Sequence, residues 1–128
     1  MDFNMIVDIL IVVLIIWLVY NRFGPTKGLI TLRDAEFRHA IDSSANRILI
    51  DVREPSEFKG GYITGARNIP LSQLRQRIEE IPPNSDVYLY CRSGVRSKDA
   101  AKLLYKKGYT KLTHLKGGIG AWSGKLSQ

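Results

Sequence analysis

Apolar and polar positions divide the chain into two parts. The first is an apolar run, Ile6 to Tyr20, in which Asp8 is the single charged residue. Beyond Gly28, short β-branched runs alternate with segments in which apolar residues recur at helical spacing. Strands that alternate with helices are typical of an α/β domain with a mostly parallel sheet. The pattern predicts a hydrophobic N-terminal helix at 1–22, a linker at 23–28 and one α/β domain at 29–126.

Each element of the α/β part has its own signal. Strands are predicted in the apolar runs at 47–52, 65–70, 87–90 and 111–115. Helices are predicted at 31–41, with Thr31 as a candidate N-cap, at 54–61, at 71–81, at 97–108 and, as a short closing turn, at 117–122. This order places Cys91 between a strand and a helix. In open α/β sheets, ligands bind at that edge.

The N-terminal apolar run is interpreted as a membrane anchor. As a helix it would span roughly 22 Å, short of the ~30 Å hydrocarbon core. The flanking residues can extend it, Phe3 and Met5 on one side and Trp17, Tyr20 and Phe23 toward the other, and the aromatic ones suit the membrane interface. A cleaved signal peptide and a buried core helix are the alternatives. No basic residue precedes the run, and no small-x-small cleavage site follows it. Basic residues begin at Arg22, so the positive-inside rule predicts a single-pass membrane protein with its α/β domain in the cytoplasm.

Composition limits the classes of function. The 128 residues suffice for one domain, the net charge is +7, and Cys91 is the single cysteine. A basic surface suits an anionic substrate, acidic lipid headgroups or nucleic acid. The basic residues are scattered without a nucleic-acid motif, so no nucleic-acid partner is predicted. One cysteine forms no internal disulfide, which favours a reducing compartment. Cysteine, histidine and carboxylate residues do not cluster at the spacing of metal ligands, so no metal is predicted. No other cofactor is predicted either.

The candidate chemistry centres on the loop CRSGVR, residues 91–96. A helix N-terminus and nearby arginines stabilise a thiolate, which is the reactive form of cysteine. Gly94 can adopt a positive φ, so that successive backbone N–H groups turn inward as an anion-binding nest. Ser97 is a candidate cap of the following helix. The alternative is that Cys91 is an inert buried side chain. An inert buried cysteine does not require the sequence RSGVR directly after it, so we favour the interpretation of Cys91 as a nucleophile.

Three further groups of residues receive an interpretation. Asp51 and Arg53 follow a predicted strand and should lie at the same sheet edge as the cysteine. In one interpretation they support the loop, which Asp51 orders and to which Arg53 adds positive potential. In the other they have a structural role, as an ion pair or a turn cap, and we favour this second interpretation. His39 and His114 have no recognisable partner, so surface or core positions are predicted for both. Trp122 is predicted to pack on the sheet.

These features resemble the rhodanese family of sulfurtransferases. The likeness covers roughly 29–126 and includes LIDVREPSEFKGGYITGARNIP, the loop CRSGVRS and the closing LKGGIGAW. It implies a five-stranded, mostly parallel sheet with helices on both faces. It also implies that Cys91 accepts a sulfane sulfur as a persulfide. The sulfur would be cradled by the amides of Arg92, Ser93, Gly94, Val95 and Arg96.

The resemblance also implies the partners of the reaction. Arg92 and Arg96 would bind a small anionic donor such as thiosulfate, and a thiol, cyanide or a protein would accept the sulfur. The chain departs from the family in GYITG, where many members have His and Pro in place of Tyr62 and Thr64. That change removes a candidate base near the site.

Two other functions stay open. Cysteine phosphatases and arsenate reductases of this fold place Arg six positions after Cys, whereas Arg96 is five positions after Cys91. A ring with fewer amides encloses less space, which suits one sulfur atom better than a phosphate. The other alternative is a membrane-tethered binding or regulatory module without turnover.

Overall fold

A computed structural model describes residues 2–128. Its first element is the helix α1 (Phe3–Phe23), capped by the Asp2 carboxylate, which accepts a hydrogen bond from the Met5 N–H at 2.8 Å. By length and composition, α1 is suited to cross a membrane, and its side chains are not buried against the rest of the chain. Its 21 residues give a length of about 32 Å, which matches the ~30 Å hydrocarbon core. The predicted hydrophobic N-terminal helix is confirmed.

The α/β domain follows from Leu29. Its strands are β1 (Leu29–Leu32), β2 (Arg47–Asp51), β3 (Tyr62–Ile63), β4 (Arg67–Asn68), β5 (Asp86–Tyr90), β6 (Leu112–Leu115) and β7 (Leu126–Ser127). Its helices are α2 (Asp34–Ser43), α3 (Pro55–Lys59), α4 (Leu71–Leu74) and α5 (Val95–Lys106), with 3₁₀ turns at Ile78–Glu80 and Gly118–Ala121.

Five strands form one parallel sheet in the order β1-β6-β5-β2-β4. A separate antiparallel pair joins β3 to β7. Side chains alternate across the sheet, so β5 places Val87 and Leu89 in one core and Tyr88 and Tyr90 in the other. The first core is covered by α4 and α5, the second by α2. The predicted five-stranded α/β fold with helices on both faces is confirmed.

Two predicted elements differ from the structure. Thr31 does not cap a helix, because it lies in β1, and α2 begins at Asp34. The backbone of β1 pairs with β6 at the edge of the sheet, and this long-range pairing overrides the local helical pattern. The predicted helix at 71–81 is split into α4 and a 3₁₀ turn. The apolar spacing continues across the break, since Leu74, Ile78 and Ile81 all contact the same core.

Candidate functional site

The loop after β5 encloses the sulfur of Cys91. Cys91 is 1% exposed and lies at the carboxyl end of the central strand. Gly94 has φ 116°, as predicted, and serves as the N-cap of α5. That conformation turns its backbone N–H inward, where it donates to Cys91 Sγ at 2.9 Å. A backbone donor at a helix N-terminus favours negative charge on the sulfur or on an atom bound to it.

The rim of the loop is exposed, and its two arginines differ. Arg92, Ser93 and Val95 are exposed around the buried sulfur. The guanidinium of Arg96 instead donates two hydrogen bonds to the Glu57 carboxylate, at 2.5 and 2.9 Å. These hydrogen bonds lower the pKa of Glu57 to about 2. Of the two arginines predicted to bind a donor, only Arg92 has no hydrogen-bond or ion-pair partner for its side chain within residues 2–128.

Glu57 is a site residue that the sequence interpretation missed. It lies in the first turn of α3, where its carboxylate also accepts from the Glu54 backbone N–H at 3.1 Å as part of a capping box. The spacing of Glu54 and Glu57 in EPSEF is the signal that could have placed this carboxylate at the start of a helix. Its contact with the loop joins residues 39 positions apart.

Asp51 and Arg53 form the structural ion pair that we favoured. The Arg53 guanidinium donates to Asp51 Oδ2 at 2.7 Å, and both side chains are buried. The same guanidinium donates to the Gly61 carbonyl at 2.7 Å and lies over the Tyr90 ring at 5.8 Å. These contacts hold together the residues just before α3 and Gly61 just after it. The pair therefore supports the loop indirectly, through α3, and has no hydrogen bond to Cys91.

The prediction that Ser97 caps α5 is wrong. Its side chain makes no capping bond and is buried in the first turn of the helix. The hydroxyl donates to the Gly94 carbonyl at 3.1 Å and lies 3.7 Å from Cys91 Sγ and 2.8 Å from His114 Nδ1. Because Gly94 already occupies the N-cap, Ser97 is three residues too late to cap the helix, and it faces the sulfur.

His114 has a core position, one of the two placements predicted for it, and it has two hydrogen-bond partners that the sequence did not reveal. It is buried in β6, with Nδ1 next to the Ser97 hydroxyl and Nε2 2.9 Å from Thr31 Oγ1. Burial, with a contribution from the positive charge of Lys98, lowers the pKa of His114 to about 4. The other histidine, His39, is exposed as predicted.

Comparison with known proteins decides the family. The sequence model of the Rhodanese-like domain matches residues 34–125. The chain belongs to this family. The "Uncharacterized protein YqhL" of Bacillus subtilis is 48% identical over 123 residues, which cover 96% of this chain and 95% of that protein.

Two further comparisons extend this result. A protein of Allochromatium vinosum named "Sulfurtransferase" is 42% identical over 76 residues, which are 59% of this chain and 71% of that protein. The crystal structure of a rhodanese-related protein from Thermoplasma volcanium is 27% identical, with a TM-score of 0.68, and covers 77% of this chain and 97% of that chain. The relatives support sulfur transfer as the general class of chemistry, and a transferase as the kind of enzyme.

The closing turn of the rhodanese-like domain holds the backbone of the loop. The N–H of Ile119 donates to the Cys91 carbonyl at 2.9 Å. Gly118 has φ 66°, and a Cβ on it would lie 2.3 Å from the Arg92 carbonyl oxygen. Only glycine fits this close approach, which the sequence interpretation did not identify. Trp122, at the end of the turn, packs edge-on against Phe37 with ring centroids 6.3 Å apart, as the predicted packing residue.

A cavity of about 410 Å³ lies between the loop of the rhodanese-like domain and the end of α1. Its lining includes the cations Arg22, Lys98 and Lys116 and, among the described residues, no carboxylate. The Lys98 amine donates to the carbonyl of Gly24, and Arg22 pairs with Asp99 at 3.0 Å. The C-terminal end of α1 is therefore held next to the Cys91 loop. A larger cavity of about 540 Å³ is lined by residues of α2, β2 and the 63–67 turn and includes none of the loop.

Proposed function

We propose that this protein is a sulfurtransferase that carries a sulfane sulfur as a persulfide on Cys91. The observation that carries the proposal is the Gly94 N–H, which donates to Cys91 Sγ at 2.9 Å where α5 begins. A buried sulfur with an inward-facing amide is suited to exist as a thiolate and to hold one further sulfur atom. Membership of the rhodanese-like family supports the same chemistry.

In the first half-reaction, the Cys91 thiolate attacks the outer sulfur of thiosulfate or of a persulfide donor. A new S–S bond forms at Cys91 while the donor's own S–S bond breaks. Sulfite or a thiolate leaves with the electron pair, and the sulfur stays on the enzyme. The exposed, unpaired Arg92 is suited to attract an anionic donor, and the amides of the loop, including those of Ser93 and Val95, would surround the transferred sulfur.

In the second half-reaction, a nucleophile removes the outer sulfur and restores the thiolate. Cys91 is the only cysteine in the sequence, so no second thiol of the same chain can resolve the persulfide. The acceptor is therefore external: a thiol or a carrier protein, with cyanide as its laboratory substitute. Arg96 supports both steps by keeping the loop attached to Glu57.

The proposed site belongs to a single-pass membrane protein with its catalytic domain in the cytoplasm. The apolar α1 would form the anchor, and the basic residues that follow it favour the cytoplasmic side. The attachment of Arg22 and Gly24 to α5 would then hold the Cys91 loop close to the bilayer surface.

Steady-state kinetics with thiosulfate and cyanide test the proposal. Because the sulfur is held covalently between two half-reactions, we expect ping-pong kinetics in the full-length protein, solubilised in detergent. Cys91→Ser should abolish turnover, and Glu36→Gln on the exposed face of α2 should retain it. A wild-type protein without turnover would support the binding-module alternative. Hydrolysis of p-nitrophenyl phosphate would instead favour the phosphatase alternative.

A further inference from the structure

A chain of side-chain contacts leads from the sulfur to the cavity beside α1. Cys91 Sγ lies 3.7 Å from Ser97 Oγ, Ser97 Oγ lies 2.8 Å from His114 Nδ1, and His114 Nε2 lies 2.9 Å from Thr31 Oγ1. The three inner residues are buried, whereas Thr31 is exposed and lines the cavity. The mechanism described above uses none of these partners of the cysteine.

The protonation of His114 determines the direction of these hydrogen bonds. The ring is buried, and the nearby charge of Lys98 further opposes a second proton, so the imidazole is neutral and carries one N–H. With that proton on Nδ1, the ring donates to Ser97 and accepts from the Thr31 hydroxyl. In the structure the single hydroxyl hydrogen of Ser97 is donated to the Gly94 carbonyl at 3.1 Å, and the Cys91 thiol donates to Ser97 Oγ. Once the thiol is ionised, the hydroxyl hydrogen can turn from that carbonyl to the sulfur. With the proton on Nε2, Ser97 must donate to the ring instead.

We propose that His114 is a positioning residue that, as the Nδ1–H tautomer, turns the Ser97 hydroxyl into a hydrogen-bond donor to the Cys91 thiolate. The proposal extends the proposed function, since it concerns the same reactive sulfur. It gives the sulfur a second donor, in addition to the Gly94 N–H. Consecutive hydrogen-bond donors polarise one another, so this series of hydrogen bonds stabilises the Cys91 thiolate without adding a charge to the buried site.

The geometry explains why these residue types are needed. Thr31 is paired with His114 in the register of β1 and β6, so its hydroxyl reaches Nε2 and can donate to it in the proposed tautomer. Ser97 lies one helical turn after Gly94, which orients its side chain back toward the loop. The charged groups around these residues include Lys98, whose charge acts on the ring, and Arg96, whose guanidinium is held by Glu57.

Alkylation of Cys91 by iodoacetamide measures thiolate reactivity without a sulfur donor. We expect Ser97→Ala, in the full-length protein at neutral pH, to react about tenfold more slowly than wild type, because it loses a hydrogen bond to the charged thiolate. We expect a similar slowing for His114→Leu, because the Ser97 hydroxyl then loses the ring N–H that orients and polarises it. His114→Asn should react within about threefold of wild type, since its amide nitrogen can occupy the place of Nδ1 and donate to Ser97. The matched control is His39→Leu on the surface of α2, which should react like wild type.

The rescue by asparagine separates positioning from a general loss of structure. Thermal melting identifies variants that remain folded, and Ser97→Ala tests the same contact if His114→Leu does not fold. Alkylation of Ser97→Ala at the wild-type rate, or a His114→Asn variant that melts like wild type and reacts as slowly as His114→Leu, would overturn the proposal. If the expected rates are found but thiosulfate leaves Cys91 unmodified, the proposed function fails while the positioning role stands.

Discussion

The Glu57 carboxylate accepts two hydrogen bonds from the Arg96 guanidinium, at 2.5 and 2.9 Å, and so fastens the Cys91 loop to α3. Both side chains are about 30% exposed, with values of 28% for Glu57 and 32% for Arg96. A two-pronged arginine–carboxylate contact fixes orientation as well as distance. The loop is therefore held from outside by a residue that precedes it by 39 positions.

Replacing Glu57 by Gln should weaken this attachment. The amide keeps the shape but loses the charge, and we expect a loss of about 1 kcal/mol in the free energy of unfolding, as for a partly exposed ion pair. Sulfur transfer should slow several-fold, because the loop is less firmly held. Urea unfolding and thiosulfate–cyanide turnover measure the two effects. The control is Glu36→Gln on the exposed face of α2. Equal stability and turnover in the two variants would rule out the fastening role.

Lowering the pH should remove the stabilisation that the Arg96–Glu57 ion pair provides. The hydrogen bonds from Arg96 lower the pKa of Glu57 from 4.5 to about 2. A carboxylate whose pKa is lower in the folded state stabilises the fold above its unfolded pKa, and this stabilisation is lost as the pH falls toward the folded pKa. The difference in unfolding free energy between wild type and Glu57→Gln should therefore shrink between pH 4.5 and pH 2. A difference that stays constant across this range would contradict the assignment.

Gly118→Ala should distort the loop. A Cβ at this position would lie 2.3 Å from the Arg92 carbonyl oxygen, and φ 66° is unfavourable for alanine. We expect the free energy of unfolding to fall by about 1–3 kcal/mol and sulfur transfer to fall at least tenfold. Gly120 provides the matched control, because a Cβ there meets no atom within 4 Å. If Gly118→Ala and Gly120→Ala behave alike, the close packing of the closing turn does not govern the site.

Charges within α1 should release the protein from the membrane. Arginine at the centre of a membrane-spanning helix costs about 2.5–3.5 kcal/mol by insertion measurements, so Val12→Arg with Ile15→Arg should move the full-length protein out of the carbonate-resistant membrane fraction. Val12→Leu with Ile15→Leu controls for substitution alone. Retention of the double-arginine variant in that fraction would argue against a membrane-spanning α1.

The sheet and the position of the cysteine could be predicted from the sequence because their signals are local. The runs at 47–52 and 87–90 are short and β-branched or aromatic, as buried strands are, and they pair in parallel in the structure. Gly94 reveals the turn into α5, since a positive φ favours glycine. The family motifs add the identity of the fold to these local signals.

The environment of the sulfur could not be predicted, because it depends on contacts distant in sequence. Thr31 meets His114 only because β1 pairs with β6, an order of strands that no local pattern specifies. In the same way, the charge of Arg96 indicated an anion-binding group, whereas its partner is a carboxylate supplied by α3. Local spacing identifies the loop, and tertiary packing determines what each side chain does there.

Intact-mass spectrometry after incubation with thiosulfate tests the central claim most directly. We expect the full-length protein to gain one sulfur atom, to lose it again on addition of cyanide, and to gain none as Cys91→Ser. Since Cys91 is the single cysteine, the added mass can be assigned without digestion. A wild-type mass that remains unchanged by thiosulfate and by a persulfide donor would contradict the account of Cys91 as a sulfur carrier.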